Sequence, residues 1–328
     1  MSSTCSCQTF VDLLRHRAEE IPDHPIYTFL LNGEQETASL TYQELDRHAR
    51  AIAALLQSFH AQGERVLLLY PPGLEFIAAF FGCLYAGAIA VPAYPPRNQR
   101  HLPRIQTIVE DAQAKWLLTV GKTQEKIAGW LDQQADLAAL TIIETDQIAE
   151  EEQSWRPPAI NGDSLAFLQY TSGSTALPKG VMVSHANLLY NSAMICDRFE
   201  HNSETRAVIW LPPYHDMGLI GGILQPLYVG FPVVMMSPAA FLQRPLRWLQ
   251  AISTYRATTS GGPNFAYDLC VEKITPEQRQ LLDLHSWDLA FSGAEPVHPK
   301  TLERFTAAFA PCGFRQEAFY PCYGLAEA

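Results

Sequence analysis

The sequence is poor in positive charge. Its 23 lysines and arginines are outnumbered by 34 aspartates and glutamates, so the formal net charge is −11. Proteins that bind nucleic acid through a broad basic surface have the opposite balance. We therefore expect no nucleic-acid partner. A local phosphate site is not excluded, because such a site needs only a few well-placed donors.

The sequence also lacks the marks of zinc binding, secretion and membrane insertion. Its 7 cysteines include no CxxC pair, and the N-terminus has neither the basic start nor the apolar core of a signal peptide. The uncharged stretches 76–93 and 217–243 are long enough to span a membrane, but glycines and prolines interrupt both. We predict a buried helix followed by a buried strand in each, no membrane span, and a cytoplasmic location.

What the chain does have is an apolar composition and a regular alternation of elements. It is 48% hydrophobic and 17% charged, which excludes a largely disordered protein. Capping boxes at Thr9 and Thr41 predict two N-terminal helices. Strands are predicted at residues 27–31, 66–70, 88–91, 116–120, 140–143, 164–170, 180–183, 208–211, 233–236, 257–260 and 289–292. Helices are predicted at residues 74–86, 102–112, 184–198, 242–254, 265–272 and 299–309. This alternation predicts an α/β fold with mainly parallel sheets covered by helices on both faces.

The densest chemical signal is the segment 170–180, YTSGSTALPKG, between two predicted strands. Gly173 lets the main chain approach a ligand, and the neighbouring N–H groups and hydroxyls can converge on phosphate oxygens. Lys179 adds a mobile positive charge. The GxxxxGKS/T order of a Walker A loop is absent. From composition alone, a Ser/Thr-rich hairpin loop without a ligand is an equal alternative.

This segment resembles the phosphate-binding loop of the adenylate-forming enzymes, which include acyl-CoA synthetases, luciferases and peptide-synthetase adenylation domains. Three more segments resemble motifs of that superfamily in the right order. They are LTYQEL at 40–45, LYAGA through VP at 84–92, and YGLAE at 323–327. The resemblance covers essentially the whole chain.

Within the superfamily the sequence most resembles the fatty acyl-AMP ligases. Three segments carry this resemblance, WLPPYHDMGLIGG at 210–222, SGGPNF at 260–265 and FSGAEP at 291–296. Ala176 and Ala326 replace a glycine and a threonine that are usual in the wider superfamily, and both replacements fit this branch.

The resemblance implies an architecture. We expect the large N-terminal domain of an adenylate-forming enzyme, with a first α/β subdomain at about residues 55–200 and a second built from residues 1–54 and 201–328. A β-barrel subdomain and a C-terminal domain would follow in the family. We therefore expect this chain to be truncated before them and to have little or no activity alone.

The resemblance also implies a reaction. A fatty acid is activated with ATP to an acyl adenylate and pyrophosphate, and the acyl group then passes to the phosphopantetheine thiol of an acyl carrier protein. Such steps serve lipid, polyketide and lipopeptide biosynthesis. Positioning and charge stabilisation would drive the first step, with Mg²⁺ as the expected ion.

The roles of individual residues follow from the same resemblance. The catalytic residues would be His215, Lys179 and Glu327, and Mg²⁺ would be held by Thr171 and Glu327. ATP would be bound by Thr171, Ser172, Gly173, Ser174, Thr175, Lys179, Gly293, Ala294, Glu295, Tyr323, Gly324, Leu325 and Ala326. The acyl chain would contact His215, Met217, Gly218, Ile220, Gly262 and Phe265. Asp216 is expected to orient its neighbours. Taken singly, a histidine or an apolar residue in such positions is more often part of the core.

Three other functions stay open at this level. The chain could belong to an acyl-CoA synthetase, because the insertion that disfavours CoA in the ligases would lie beyond residue 328. It could be a non-catalytic nucleotide- or acyl-binding module, although Lys179 and Glu327 are both present. An amino-acid adenylation domain is disfavoured by the HDMG segment at 215–218 and its apolar surroundings.

Overall fold

The computed structural model describes residues 7–96, 98–131, 135–148, 154–171 and 178–327. Thirteen strands are present in this part of the chain. They are β1 (Pro25–Leu31), β2 (Gln35–Thr41), β3 (Arg65–Leu69), β4 (Ile89–Ala93), β5 (Trp116–Thr119), β6 (Thr141–Glu144), β7 (Leu165–Thr171), β8 (Lys179–Ser184), β9 (Ala207–Ile209), β10 (Val233–Met236), β11 (Thr259–Gly261), β12 (Leu289–Ser292) and β13 (Phe319–Pro321).

Helices connect these strands. They are α1 (Phe10–Glu20), α2 (Tyr42–Ser58), α3 (Leu74–Ala86), α4 (Leu102–Ala112), α5 (Gly121–Leu131), α6 (Ala135–Ala138), α7 (His185–Phe199), α8 (Gln225–Val229), α9 (Pro238–Gln243), α10 (Leu246–Tyr255), α11 (Asn264–Lys273), α12 (Pro276–Arg279) and α13 (Pro299–Phe309). A π-helix, Met217–Leu224, precedes α8. Both capping boxes are confirmed, since Thr9 caps α1 and Thr41 caps α2 with reciprocal hydrogen bonds.

The chain divides into two compact units. Unit 1 comprises Met1–His24 and Leu40–Asn191, and unit 2 comprises Pro25–Ser39 and Ser192–Ala328. Unit 1 contains a six-stranded sheet in the order β6-β5-β3-β4-β7-β8. Its strand pairs are parallel except for the antiparallel pair β7–β8. A buried cluster between this sheet and its helices includes Leu67, Val91, Ile105, Leu117 and Tyr170.

Unit 2 contains a seven-stranded sheet in the order β13-β12-β11-β9-β10-β1-β2. The pairs from β13 through β1 are parallel. The turn between β1 and β2 places Asn32 and Gly33 in the left-handed region, with φ of 51° and 75°. The predicted class is therefore confirmed as α/β with two mainly parallel sheets and connecting helices.

The N-terminal helices differ from the predicted division of the chain. The prediction placed residues 1–54 with the second subdomain, but α1 and α2 lie in unit 1 and only residues 25–39 of that region belong to unit 2. The reason is tight packing of α2 on α3. A Cβ on Gly82 would lie 2.5 Å from Ile52 Cγ2, and Tyr85 Oη donates a 2.7 Å hydrogen bond to Asp46. The second boundary lies within α7, after Asn191 rather than at residue 200.

Several elements also differ from their predicted extents. The helix predicted at 242–254 begins at Leu246, because Pro245 separates α9 from α10. The short strands β2 and β13 and the helix α5 were not predicted. The two uncharged stretches form α3 with β4, and the π-helix with α8, β10 and α9. Among the described residues, every helix is too short or too polar to cross a bilayer.

Candidate active site

Four neighbouring strands of the unit-2 sheet lead into segments identified in the sequence. The strands β9, β11, β12 and β13 are adjacent, and each pair is parallel. The segments that follow or overlap their carboxyl ends are 210–222, 260–265, 291–296 and 323–327. Because parallel strands end at the same edge of a sheet, these segments share one edge. Ligands of open α/β sheets bind at the carboxyl edge.

His215 lies in the segment that follows β9. Its N–H donates to the Pro212 carbonyl at 3.1 Å, and its own carbonyl accepts from Leu219 N–H at 2.8 Å. These two main-chain bonds fix His215 just before the π-helix. Its side chain remains about half exposed, at 55%. The imidazole is therefore held at its base and open to a ligand at its tip.

Asp216 fixes the protonation of His215. His215 Nδ1 lies 2.6 Å from Asp216 Oδ1, which also accepts from Met217 N–H at 2.6 Å. The hydrogen bond to Asp216 and the charge of that carboxylate outweigh partial burial and raise the pKa of His215. Burial raises the pKa of Asp216, but the His215 ring and the Met217 N–H together hold it below its usual value. The pair favours the protonated imidazole ring.

Gly218 is needed for close packing of the main chain. A Cβ at this position would lie 2.0 Å from the Pro212 carbonyl oxygen, so no side chain fits. The carbonyl that occupies this space is the one that accepts from His215 N–H. The observed contact of Gly218 is therefore with the turn that carries His215. Its predicted contact with an acyl chain stays a prediction.

Two of the other acyl candidates, Gly262 and Phe265, lie beside Trp210. A Cβ on Gly262 would lie 2.6 Å from Trp210 Cζ2, and Phe265, which is 48% exposed, meets the Trp210 ring edge-on at 6.0 Å. The Met217 and Ile220 side chains are partly buried. Trp210 is itself buried and was not predicted as a site residue. Trp210 is the first residue of the segment that contains HDMG, and this position in the sequence could have identified it as a candidate.

Gly293, Ala294 and Glu295 follow β12. Ala294 has a φ of 69°, an uncommon conformation for a residue with a side chain, and it is exposed. Glu295 Oε1 accepts from Asn264 N–H at 2.9 Å, at the first residue of α11. The Glu295 carboxylate therefore caps a helix. This contact was not predicted, because Asn264 lies 31 residues away in the sequence.

The segment after β13 lies beside Gly293. Cys322 N–H donates to the Ser292 carbonyl at 2.8 Å, which continues the β12–β13 pairing by one residue. A Cβ on Gly293 would lie 2.6 Å from Cys322 Sγ. Tyr323 follows immediately and is 88% exposed, so its ring faces are free. Gly293 thus lies against Cys322, the residue that precedes Tyr323.

The remaining candidates of unit 2 follow Tyr323. Leu325 is 51% exposed, Gly324 and Glu327 are exposed, and Ala326 is partly buried. The exposed side chain of Glu327 carries the carboxylate that the sequence predicts as a Mg²⁺ ligand.

Unit 1 supplies the other set of candidates, on the β7–β8 hairpin. Thr171 ends β7 and Lys179 begins β8, and the two are paired across the hairpin. Lys179 is exposed, and among the described residues its ammonium group has no ion-pair partner. The predicted residues Ser172, Gly173, Ser174 and Thr175 lie outside the described part of the chain.

Comparison with known proteins settles the family. The sequence pattern of the AMP-binding enzymes matches residues 14–328, nearly the whole chain. This chain belongs to the AMP-binding enzyme family.

Relatives of this AMP-binding enzyme are fatty-acid ligases. The medium-chain-fatty-acid–acyl-carrier-protein ligase JamA of Moorena producens is 50% identical over 325 residues, covering 98% of this chain and 55% of JamA. The ligase TtuA of Teredinibacter turnerae, of the same description, is 37% identical, covering 98% of this chain and 56% of TtuA.

A solved structure agrees with these relatives. The fatty acyl-adenylate ligase from L. pneumophila, in complex with acyl adenylate and pyrophosphate, has a TM-score of 0.92 and 50% identity. The match covers 98% of this chain and 56% of that chain. The AMP-binding enzyme described here therefore spans a little over half the length of these relatives.

Among the described residues, no cluster of side chains forms a complete site for the metal expected in this AMP-binding enzyme. Within the described ranges, no group of three or more His, Cys, Asp or Glu side chains could hold an ion. Magnesium is usually bound by one or two carboxylates together with substrate phosphates and water. The single exposed carboxylate of Glu327 fits such a site.

Proposed function

We propose that this AMP-binding enzyme activates a fatty acid with ATP. A carboxylate oxygen of the fatty acid attacks the α-phosphorus, a bond to AMP forms, and the bond to pyrophosphate breaks. A phosphopantetheine thiolate of an acyl carrier protein then attacks the acyl carbonyl, and AMP leaves. The observation that carries the proposal is the convergence of four ligase-like segments at one edge of the unit-2 sheet. The names of the relatives support the substrate and the acceptor.

His215 is proposed to stabilise negative charge in both steps. With Nδ1 bound to Asp216, its Nε2–H is the free donor. A fixed donor aimed at developing charge needs no reorganisation during the reaction, which is why such groups accelerate acyl and phosphoryl transfer. The hydrogen bond to Asp216 raises the pKa of His215 and so favours the protonated ring that carries this donor.

The hairpin of unit 1 is proposed to bind the phosphate groups. Lys179 offers a positive charge on an exposed side chain, and residues 171–175 would add hydroxyl and N–H donors as the resemblance implies. Mg²⁺, held by Thr171 and Glu327, would neutralise phosphate charge when bound. Both residues supply oxygen atoms, the ligand type that this ion prefers.

The nucleotide base and the acyl chain are assigned to the unit-2 edge. Gly293, Ala294, Glu295, Tyr323, Gly324, Leu325 and Ala326 are proposed to hold the adenosine part of ATP. The exposed Tyr323 ring suits stacking on a flat base. Met217, Gly218, Ile220, Gly262 and Phe265 are proposed to contact the acyl chain. A cytoplasmic location remains part of the proposal.

The test is an ATP–pyrophosphate exchange assay of the complete protein with fatty acids of increasing chain length. We expect exchange with a fatty acid and none with a panel of amino acids. Lys179→Ala should lower exchange about 100-fold, because it removes a charge that positions the phosphates. Lys122→Ala, a change of an exposed lysine in α5, is the matched control.

The acceptor is tested separately. Acyl transfer is measured with a phosphopantetheinylated carrier protein and with free CoA. Efficient acyl-CoA formation would identify an acyl-CoA synthetase instead. Binding of an acyl-adenylate analogue without any exchange would identify a non-catalytic binding module.

A further inference from the structure

Tyr170 makes a short hydrogen bond near the loop end of the β7–β8 hairpin. It is the next-to-last residue of β7, and its side chain is buried, with 6% exposed. Its hydroxyl donates to Asp111 Oδ2 at 2.5 Å, near the end of α4. Burial and the hydrogen bond to Asp111 both raise the pKa of Tyr170. The hydroxyl is therefore a donor throughout the ordinary pH range.

The Tyr170 ring also covers the opposite strand of the hairpin. Tyr170 and Gly180 are paired across β7 and β8. A Cβ on Gly180 would lie 2.9 Å from Tyr170 Cζ and 3.1 Å from its hydroxyl oxygen. The ring fills the space that a side chain of residue 180 would take. The Tyr170 side chain therefore holds β7 and β8 together at the Tyr170–Gly180 pair.

The next pair along the hairpin is the functional one. Thr171 lies opposite Lys179, one residue beyond Tyr170 and Gly180. In the described sheet, β8 has β7 as its neighbour on one side and no strand on the other. β8 is therefore an edge strand, whereas β7 lies between β8 and β4.

Asp111 in turn is held by the centre of the sheet. Arg65 is the first residue of β3, a strand with neighbours on both sides. Its Nε donates to the Ala112 carbonyl at 2.6 Å and its Nη2 to Gln113 Oε1 at 3.2 Å. These bonds fix the end of α4 that carries Asp111. A chain of contacts therefore runs from β3 through α4 to the hairpin.

We propose that Tyr170 is a positioning residue that sets the placement of Lys179 through Asp111 and Gly180. The proposal rests on the proposed function, in which Lys179 binds the phosphates of ATP. Tyr170 touches no substrate. Its effect is to hold the two strands that carry Thr171 and Lys179 at a fixed height and tilt relative to α4.

The test compares Tyr170→Phe with Tyr85→Phe in the complete protein. Tyr85 is buried in the same unit, and its hydroxyl donates to Asp46 at 2.7 Å, away from the hairpin. Tyr170→Phe should raise the KM for ATP about fivefold to tenfold and leave the KM for the fatty acid unchanged. Tyr85→Phe should leave both values unchanged, even if it lowers the melting temperature as much.

Asp111 provides the second arm. Asp111→Asn keeps an oxygen that can accept from Tyr170 and should retain most of the ATP affinity, whereas Asp111→Ala should match Tyr170→Phe. The double variant Tyr170→Phe with Asp111→Ala should be no worse than either single change, because both remove the same bond.

Two results would overturn the proposal. One is an unchanged KM for ATP in Tyr170→Phe while the wild-type protein is active. The other is an equal loss of kcat in Tyr170→Phe and Tyr85→Phe without a change in KM, which would mean a purely structural role. Absence of fatty-acid-dependent exchange in the wild-type protein would instead refute the proposed function.

Discussion

The two units hold their candidate loops by different means. In unit 2, the loop that carries His215 is fixed by main-chain contact, since a Cβ on Gly218 would lie 2.0 Å from the Pro212 carbonyl oxygen. In unit 1, the hairpin that carries Lys179 is fixed by a side chain, the Tyr170 ring across Gly180. Main-chain packing cannot yield without moving the chain, whereas a side chain can turn or lose one hydrogen bond. A substitution at the main-chain contact should therefore displace the whole loop. A substitution at the side-chain contact should be tolerated with a small shift.

The largest effect that tests this difference should come from adding one methyl group to each loop. Gly218→Ala should destabilise the protein by about 4 kcal/mol or more, because the new Cβ meets main chain. Gly180→Ala should cost only about 1–2 kcal/mol, because the Tyr170 ring can shift. Chemical denaturation measures both. Equal losses of unfolding free energy would show that the two loops are held in the same way.

The next effect is a pH dependence of the unfolding free energy that comes from His185 in unit 1. His185 Nδ1 accepts from Phe10 N–H at 3.3 Å, and burial lowers the pKa of His185 from 6.5 to about 4. The folded state therefore prefers the neutral ring. This stability is complete above pH 6.5 and is lost as the pH falls towards 4, by about 3 kcal/mol in all.

His185→Gln should remove most of this acid sensitivity. The measurement is the unfolding free energy at pH 8 and at pH 4.5, compared with His101→Gln, a change of an exposed histidine. A pH dependence that is the same in all three proteins would exclude His185 as its source.

A smaller effect, on the pH dependence of activity, is expected from the Asp216 side chain in unit 2. The Asp216 hydrogen bond raises the pKa of His215, so the protonated ring persists as the pH rises. Activity should then fall as the pH rises through that pKa. In Asp216→Asn the uncharged amide still accepts the proton but raises the pKa less, so the fall moves to lower pH, with about a tenfold loss of rate at pH 8.

Asp283→Asn provides the matched control for that profile. Asp283 pairs with His285 Nδ1 at 2.8 Å in the same unit, and both side chains are exposed. This variant should keep the wild-type pH profile. A profile of Asp216→Asn that coincides with the wild type would remove His215 from the reaction.

The smallest effect should come from Glu295. Its carboxylate accepts from Asn264 N–H, and the carbonyl of a glutamine can do the same. Glu295→Gln should therefore change the unfolding free energy by less than about 1 kcal/mol, whereas Glu295→Ala leaves the helix end uncapped and should cost more. A large loss of ATP affinity in Glu295→Gln, with stability intact, would mean that the charge itself serves the nucleotide.

The sequence predicted much of the local structure. The helices α3, α4 and α13 and the strands β10 and β12 have the predicted ends. Gly73 and Gly87 flank α3, Pro232 precedes β10 and Gly293 follows β12, and such residues act on the chain locally. The strand β13 was missed because three residues carry no periodicity.

The sequence predicts candidate site residues but not the contacts between them. The order of the segments around His215, Gly293 and Tyr323 is visible in the sequence. Nothing in that order shows that Glu295 caps α11, that Trp210 packs on Gly262, or that Tyr170 reaches Asp111. These are contacts between residues far apart in the chain, and short-range patterns carry no information on them.

The alternation of strands and helices follows from the sequence of this AMP-binding enzyme, which also predicts candidate residues for phosphate, adenine and acyl binding. Only the tertiary structure decided that β9, β11, β12 and β13 are neighbours, so that their segments meet at one edge. It also decided that α1 and α2 belong to unit 1. The physical reason is the range of the interactions. Helix and strand formation depend on neighbours within a few residues, whereas strand order depends on which apolar faces can be buried together.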